Sequence, residues 1–234
     1  MGNAGVFDIS SDHQGNLWLA TMGAGLVKIS AVGEPIIYKV KKQADDNLHI
    51  NSIPNDYIAK LAFSKDRRRL YLATSIGLAC LDLKNNSWTS TFDGVNCINK
   101  GSFSHCVFTD SKDQVWYGTE DGVFHYSANG KLIKHYTTSD GLTDNSIASI
   151  IEDSKGRIWF GTTGGMGKLD ITKGKFTNFF VENGIQSNEF TDGAACMSSD
   201  KRIIIMGISW LSNIPCTIVC SASCKALLIS RQLS

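Results

Sequence analysis

Five histidines, His13, His49, His105, His125 and His135, are the side chains of this sequence that change charge near neutral pH, so any general acid or base is sought among them first. Proton transfer by histidine needs a carboxylate placed to orient the ring. No such spacing recurs. His13 falls in a turn and His49 in a long polar stretch, while His105, His125 and His135 lie on strand-like runs without a repeated acidic partner, so each is expected on the surface or packed. Recognition of a substrate carboxylate would need clustered arginines. Arg67, Arg68 and Arg69 do sit together, but in a turn where solvation is expected, and the others are the scattered Arg157, Arg202 and Arg231. The seven cysteines cannot all pair within the chain. Cys80, Cys97, Cys106 and Cys196 stand singly in apolar stretches and read as small core residues. Cys216, Cys220 and Cys224 follow a four-residue step that would align them on a helix, with no histidine or paired CxxC nearby to complete a metal site. No HExxH, GxSxG or phosphate-loop motif is present, and neither a catalytic residue, a metal nor a cofactor is expected.

Composition narrows the partners. The chain has 234 residues, enough for a sizeable core, with 42% hydrophobic and 19% charged residues. Twenty-three basic residues against 22 acidic ones leave a net charge of +1, which supplies no field for nucleic acid or anionic lipid. Twenty-two glycines against three prolines suit many short hairpins, so a mostly β chain is expected.

The elements that position these residues come from a repeat. Trp18-Leu19-Ala20-Thr21 returns as Tyr71-Leu72-Ala73-Thr74, Trp116-Tyr117-Gly118-Thr119 and Trp159-Phe160-Gly161-Thr162, at steps of 53, 45 and 43 residues. A faded fifth copy runs from Arg202 to Gly207, with Ile204 in the place of the aromatic. One four-stranded propeller blade has this length. In the fourth copy Ile147, Ser149 and Ile151 alternate as a first strand, and Asp153-Ser154-Lys155-Gly156 is a tight turn. Arg157 to Thr162 form a second strand, in which Trp159 offers a flat surface to the adjacent blade and Gly161 admits a close neighbour. Gly167 to Asp170 and Lys175 to Phe180 complete the four. A second phrase, Asp93-Gly94-Val95, Asp140-Gly141-Leu142 and Asn183-Gly184-Ile185, marks the crossover between blades. The long first step reflects extra polar sequence around Lys41 to Asn55, a tolerated insertion in a crossover loop. The expected fold is all-β, an incomplete β-propeller of about four four-stranded blades plus part of a fifth, forming an open arc. The blades span about 1–40, 57–92, 103–137 and 146–180, with a partial one at 189–207. The repeat signature is carried by Trp18, Thr21, Tyr71, Thr74, Trp116, Gly118, Thr119, Trp159, Gly161 and Thr162.

Trp116-Tyr117-Gly118-Thr119-Glu120-Asp121-Gly122-Val123, Trp159-Phe160-Gly161-Thr162 and the intervening Asp140-Gly141-Leu142 together resemble the two-component regulator propeller repeat. Asn183 to Phe190 looks like the stretch before the last strands of the second propeller in that family. The resemblance covers residues 5 to about 207. It implies the periplasmic sensor part of a Bacteroidetes hybrid two-component sensor, in which paired propellers sense glycans and drive a histidine kinase. The kinase, transmembrane helix and signal peptide of such sensors are not found in these residues. The expectation is therefore a truncated segment that cannot signal alone, periplasmic in intact relatives and cytoplasmic if made as written. Residues 208–234 lose the strand-turn rhythm and are expected to be an aberrant or disordered tail; residues 203–224 carry no charge over a length that could span a bilayer but are too polar for a membrane span.

The resemblance implies an oligosaccharide as partner, held by loops around the inner strands, with the remaining blades or another copy of the chain as further partners. Residues in such loops are Asn55, Asp56, Tyr57, Asn99, Asn145, Asn188 and Glu189, each equally explained by turn chemistry. Two alternatives stand beside the sensor reading. One is a propeller enzyme of the streptogramin-lyase type, whose histidine and glutamate would converge on the central channel. The other is a gene remnant without activity.

Overall fold

The computed structural model describes residues 5–40, 53, 55–89, 91–92, 95–96, 103–185, 187–199, 203–207, 216–220 and 226–228. His49, Cys97, Asn99, Arg202, Cys224, Arg231, most of the 41–55 insertion and the Asp93-Gly94 phrase lie outside the described residues. The chain resolves into two compact units, Met1–Tyr117 with Tyr126–Ile133, and Gly118–His125 with Lys134–Ser234.

The described chain is all-β apart from short 3₁₀ turns. The first sheet has the order β1 (Val6–Ser11), β2 (Leu17–Thr21), β3 (Leu26–Ile29), β4 (Ile36–Tyr38). The second consists of β5 (Ile58–Phe63), β6 (Arg69–Thr74), β7 (Gly77–Asp82) and β8 (Ser87–Thr89), and β9 (Thr91–Phe92) pairs separately with β10 (Val95–Asn96). The third contains β11 (Ser104–Thr109), β12 (Val115–Thr119), β13 (Gly122–Tyr126) and β14 (Leu132–Tyr136). The fourth contains β15 (Ile147–Glu152), β16 (Ile158–Thr162), β17 (Gly165–Asp170) and β18 (Lys175–Phe179). The fifth contains β19 (Phe190–Met197), β20 (Ile203–Gly207), β21 (Cys216–Cys220) and β22 (Ala226–Leu228). Strand order follows chain order in every sheet, because short turns join antiparallel neighbours. In the first unit β1, β5 and β11 lie side by side, and in the second β15 lies beside β19, which is the arrangement of propeller blades.

Register explains which residues form the core. In the first sheet Ile9, Leu19, Val27 and Ile37 stand in one row across the four strands, and Ser10, Trp18, Lys28 and Ile36 in the next. Side chains of successive rows point to opposite faces. The Trp18 face is buried in a cluster with Leu26, Leu61, Leu70, Leu72, Leu81 and Trp88. The opposite face of this sheet is open: Ile9 and Leu17 are 58% and 44% exposed, whereas Leu61 and Leu70, in the same register positions of the second sheet, are 5% and 0%. A blade face that is covered in one repeat is thus uncovered in another.

Two expectations are corrected. Cys216 and Cys220 bound a strand rather than sharing a helix face, because the intervening Thr217, Ile218 and Val219 are all β-branched. With β22 this strand completes four in the fifth sheet. Cys80 and Cys106 are buried, but Cys196 is exposed, on a β19 that is buried only at its first residue, Phe190.

Candidate functional site

The turn between first and second strands is built around one carboxylate. Asp12 Oδ1 accepts from the Gln14 and Asn16 N–H groups at 2.9 and 3.0 Å, while Oδ2 accepts from Trp18 Nε1 at 3.0 Å. Asp110 repeats the arrangement with Lys112, Gln114 and Trp116, and Asp153 with Lys155, Arg157 and Trp159. Burial alone would raise the Asp12 and Asp153 carboxyls, but donors led by Asn16 and Trp18 in one case and Trp159 in the other hold both below the usual carboxylate value. The second sheet lacks this carboxylate. Its turn runs through Ser64 and is one residue longer before Tyr71, whose phenol burial pushes up to about 12. Burial also pushes the Cys80 thiol up to about 12, which leaves it unreactive. Arg67 itself takes the left-handed conformation, φ 51°, that Gly15 and Gly156 take in sister turns. The arginines here are not merely solvated: Arg67 Nη1 donates to the Ser11 carbonyl, and Arg69 Nη1 donates to that of Ala128 at 2.8 Å.

The threonine of each repeat phrase has one task. Buried Thr21, Thr74, Thr119 and Thr162 donate through Oγ1 to the carbonyls of Gly25, Gly77, Gly122 and Gly165, at 2.6, 2.6, 3.1 and 2.8 Å, and each Oγ1 accepts a turn N–H. This clamps the turn between second and third strands. Gly161 does admit a close neighbour, since a Cβ there would stand 2.6 Å from Ser149 Oγ and 3.0 Å from Phe190 Cβ. The Trp159 ring is covered from its own sheet, stacked at 5.6 Å on Phe179 with Lys168 Nζ 5.2 Å from its centroid.

The crossover loops account for most of the loop residues named as ligand contacts. Asp56, Asn145 and Asn188 each reach back through Oδ1 to a backbone N–H, of Val40, Thr138 and Val181, at 2.8, 2.8 and 2.9 Å. The residue before each, Asn55, Asp144 or Ser187, accepts from the N–H two positions on. Buried Ile53, Leu142 and Ile185 lie three positions ahead of these staples. The insertion after Val40 is therefore bracketed by the same staple that closes the shorter crossovers. These side chains hold loops, as turn chemistry predicts.

Tyr57 is different. Its ring meets Phe7 at 5.4 Å and Phe103 at 5.4 Å, and Phe103 in turn meets His105 at 5.1 Å. The four rings lie at the starts of β1, β5 and β11, at the crossover end of the inner strands. Phe7 occupies a register shift between Val6 and Asp8, a bulge that takes it out of the strand alternation. Only Tyr57 of this row is legible as a loop candidate. The signal for the others is an aromatic residue just before, or one position into, a first strand.

The remaining described histidines are engaged elsewhere. His13 Nε2 is 2.8 Å from the Asp66 carbonyl oxygen, His125 is buried with its ring stacked over Tyr136, and His135 stacks on Phe124 at 4.0 Å with Nε2 2.7 Å from the Asp121 carbonyl oxygen. Among the described residues no three His, Cys, Asp or Glu side chains are grouped as a metal site needs, and no helix is long and apolar enough to cross a membrane.

Against known proteins, residues 141–164 match the family model described as the two-component regulator propeller. No curated protein sequence matches the chain. The fold is similar to the extracellular domain assigned to a hybrid two-component system of B. thetaiotaomicron, with a TM-score of 0.77 at 22% identity over 99% of this chain and 29% of that one. A second extracellular domain from the same organism, assigned to a one-component system, gives 0.70 at 16% identity over 98% of this chain and 36% of that one. The chain thus spans about a third of the length of these relatives. Virginiamycin B lyase from Staphylococcus aureus, in a catalytically inactive form with quinupristin, gives 0.55 at 14% identity over 100% of this chain and 87% of that one. At these identities the likeness is one of fold, and the fold is a β-propeller.

Proposed function

We propose that this chain, which carries the two-component regulator propeller repeat, is an extracytoplasmic ligand-sensing segment of a hybrid two-component sensor, with a glycan as ligand. The observation that carries the reading is the likeness, over 99% of the chain, to the extracellular domain assigned to such a system. The segment senses and does not catalyse. Ligand acts by favouring one of two arrangements of the extracytoplasmic region, since only differential affinity for two states transmits a signal. That step requires the kinase of the intact protein, so the segment alone binds without signalling.

Isothermal titration against neutral and acidic plant and host oligosaccharides tests this. Saturable heat with one structural class is the expected result. Flat titrations across the panel at millimolar ligand, on a chain that melts cooperatively, would reject the reading, and turnover of any oligosaccharide would replace it with an enzymatic one.

The open face of the first sheet is part of the same reading. Its partner is a further blade of this repeat, because the matching face of the second sheet is covered by a Trp-bearing blade face. Burying the part of each of these aliphatic side chains that is still exposed contributes on the order of 1 kcal/mol. The wild-type chain is expected to associate with rising concentration in sedimentation equilibrium, and the Ile9→Lys/Ile37→Lys chain to remain monomeric. A wild-type chain that stays monomeric at every concentration contradicts this assignment.

A further inference from the structure

We infer that Phe7, Tyr57, Phe103 and His105 form a stacking shelf for an uncharged ligand with a flat apolar face; the inference rests on the sensor reading and assigns its binding site. The shelf draws on three adjacent blades of the first unit, so no single repeat contains it. Ring centroids step 5.4, 5.4 and 5.1 Å from Phe7 to His105, at interplanar angles of 46°, 64° and 52°. Rings so tilted pack edge against face along the row, and the exposed part of the end ring, Phe7, is open to a further group. Phe7 is 46% exposed at the outer end of the row, and Tyr57, Phe103 and His105 are half-buried. A phenylalanine held on a strand bulge with close to half of its surface open keeps apolar area for a ligand.

The bulge is the device that places it. Register shifts occur at the matching point of β5 and β15, where the extra residues are Ala59 and Ala148, too small to reach a neighbour's ring. In the first sheet this position carries a ring, Phe7, that meets Tyr57 of the next blade. The ionic groups on the same strands are already satisfied: Asp8 pairs with Lys60 at 3.1 Å and accepts the Leu61 N–H at 3.0 Å, and the Asp56 carboxylate caps Val40. No unmatched charge is therefore assigned to the ligand. A pyranose and an aryl group both offer the required apolar face.

Aromatic ¹H–¹³C spectra of the full chain labelled at Phe and Tyr test the shelf with three probes: xylohexaose, 4-nitrophenyl β-glucoside and a sulfated chondroitin disaccharide. Xylohexaose is expected to shift the Phe7, Tyr57 and Phe103 resonances. A response to the aryl glucoside alone would identify the aryl group as the source of the stacking face. Phe7→Ala should weaken Kd about tenfold, and Phe7→Leu equally, because leucine restores bulk without a flat face. Wild-type affinity in Phe7→Leu, binding with unmoved ring resonances, or tighter binding of the sulfated probe would each overturn the shelf while leaving the sensor reading intact. Absence of binding by all three probes and by the calorimetric panel would remove both.

Discussion

Gly122→Ala is expected to destabilise the chain by about 3–5 kcal/mol, whereas Gly15→Ala costs about 1 kcal/mol. Both glycines have positive φ, 108° and 79°, so both substitutions carry the left-handed penalty of roughly 1–2 kcal/mol. They differ in space. A Cβ on Gly122 would stand 2.2 Å from the Tyr136 carbonyl oxygen, a backbone atom that cannot rotate away, while nothing lies within 4 Å of a Cβ on Gly15. Relief at Gly122 requires the third and fourth strands of the sheet to part. The same position in the first sheet, Gly25, would meet the Tyr38 carbonyl oxygen at 2.1 Å, whereas Gly165 in the fourth would meet that of Phe179 at 3.1 Å, so the constraint is shared by the first and third sheets and is looser in the fourth. Urea denaturation followed by tryptophan fluorescence measures both variants. Equal losses would show that backbone conformation alone, and not the close approach of two strands, fixes glycine here.

Asp153→Ala should cost about 3–5 kcal/mol at neutral pH, because it leaves several buried or half-buried donors without their acceptor. Those donors are Trp159 Nε1, the N–H groups of Lys155 and Arg157, and the Arg157 guanidinium, whose Nε lies 2.5 Å from Oδ2. The pH dependence follows from the depressed carboxyl. The folded value lies below that of the unfolded chain, about 3.9, so the unfolded state binds more protons in the interval between them. The stabilisation is complete above that interval and disappears as pH falls through the folded value. The gap between wild type and Asp153→Ala should therefore narrow as pH drops from 5 toward 3. A gap that holds constant over this range would mean that the carboxylate's charge plays no part. Trp159→Phe removes one donor only, and in a double-mutant cycle it should couple strongly to Asp153→Ala.

How much was legible beforehand depends on whether the cause is local. The repeat phrase located the second strand of four sheets, because an apolar alternation closed by Thr and flanked by Asp- or Ser-initiated turns is set within about ten residues. The role of the threonine was not visible, since its acceptor is a glycine carbonyl across the following turn. The Asp–Trp bond spans six residues and recurs at Asp12, Asp110 and Asp153, so it was open to inspection but reads as turn chemistry until the indole N–H is seen to reach the carboxylate. Cys196 is exposed rather than in the core because apolar neighbours in sequence do not tell which face of a strand is covered. Asn145 and Asn188 looked equally suited to a ligand and to a loop, and the choice required the positions of the Thr138 and Val181 N–H groups.

By itself the sequence determined the class of structure: its period, its turns and its composition permit short antiparallel sheets. Only the tertiary structure decided which rings meet. Phe7, Tyr57 and Phe103 are separated by 50 and 46 residues along the chain and become neighbours because their first strands pack side by side. Local propensity acts over one turn or strand, whereas contact between blades depends on register, bulge position and the faces that remain uncovered.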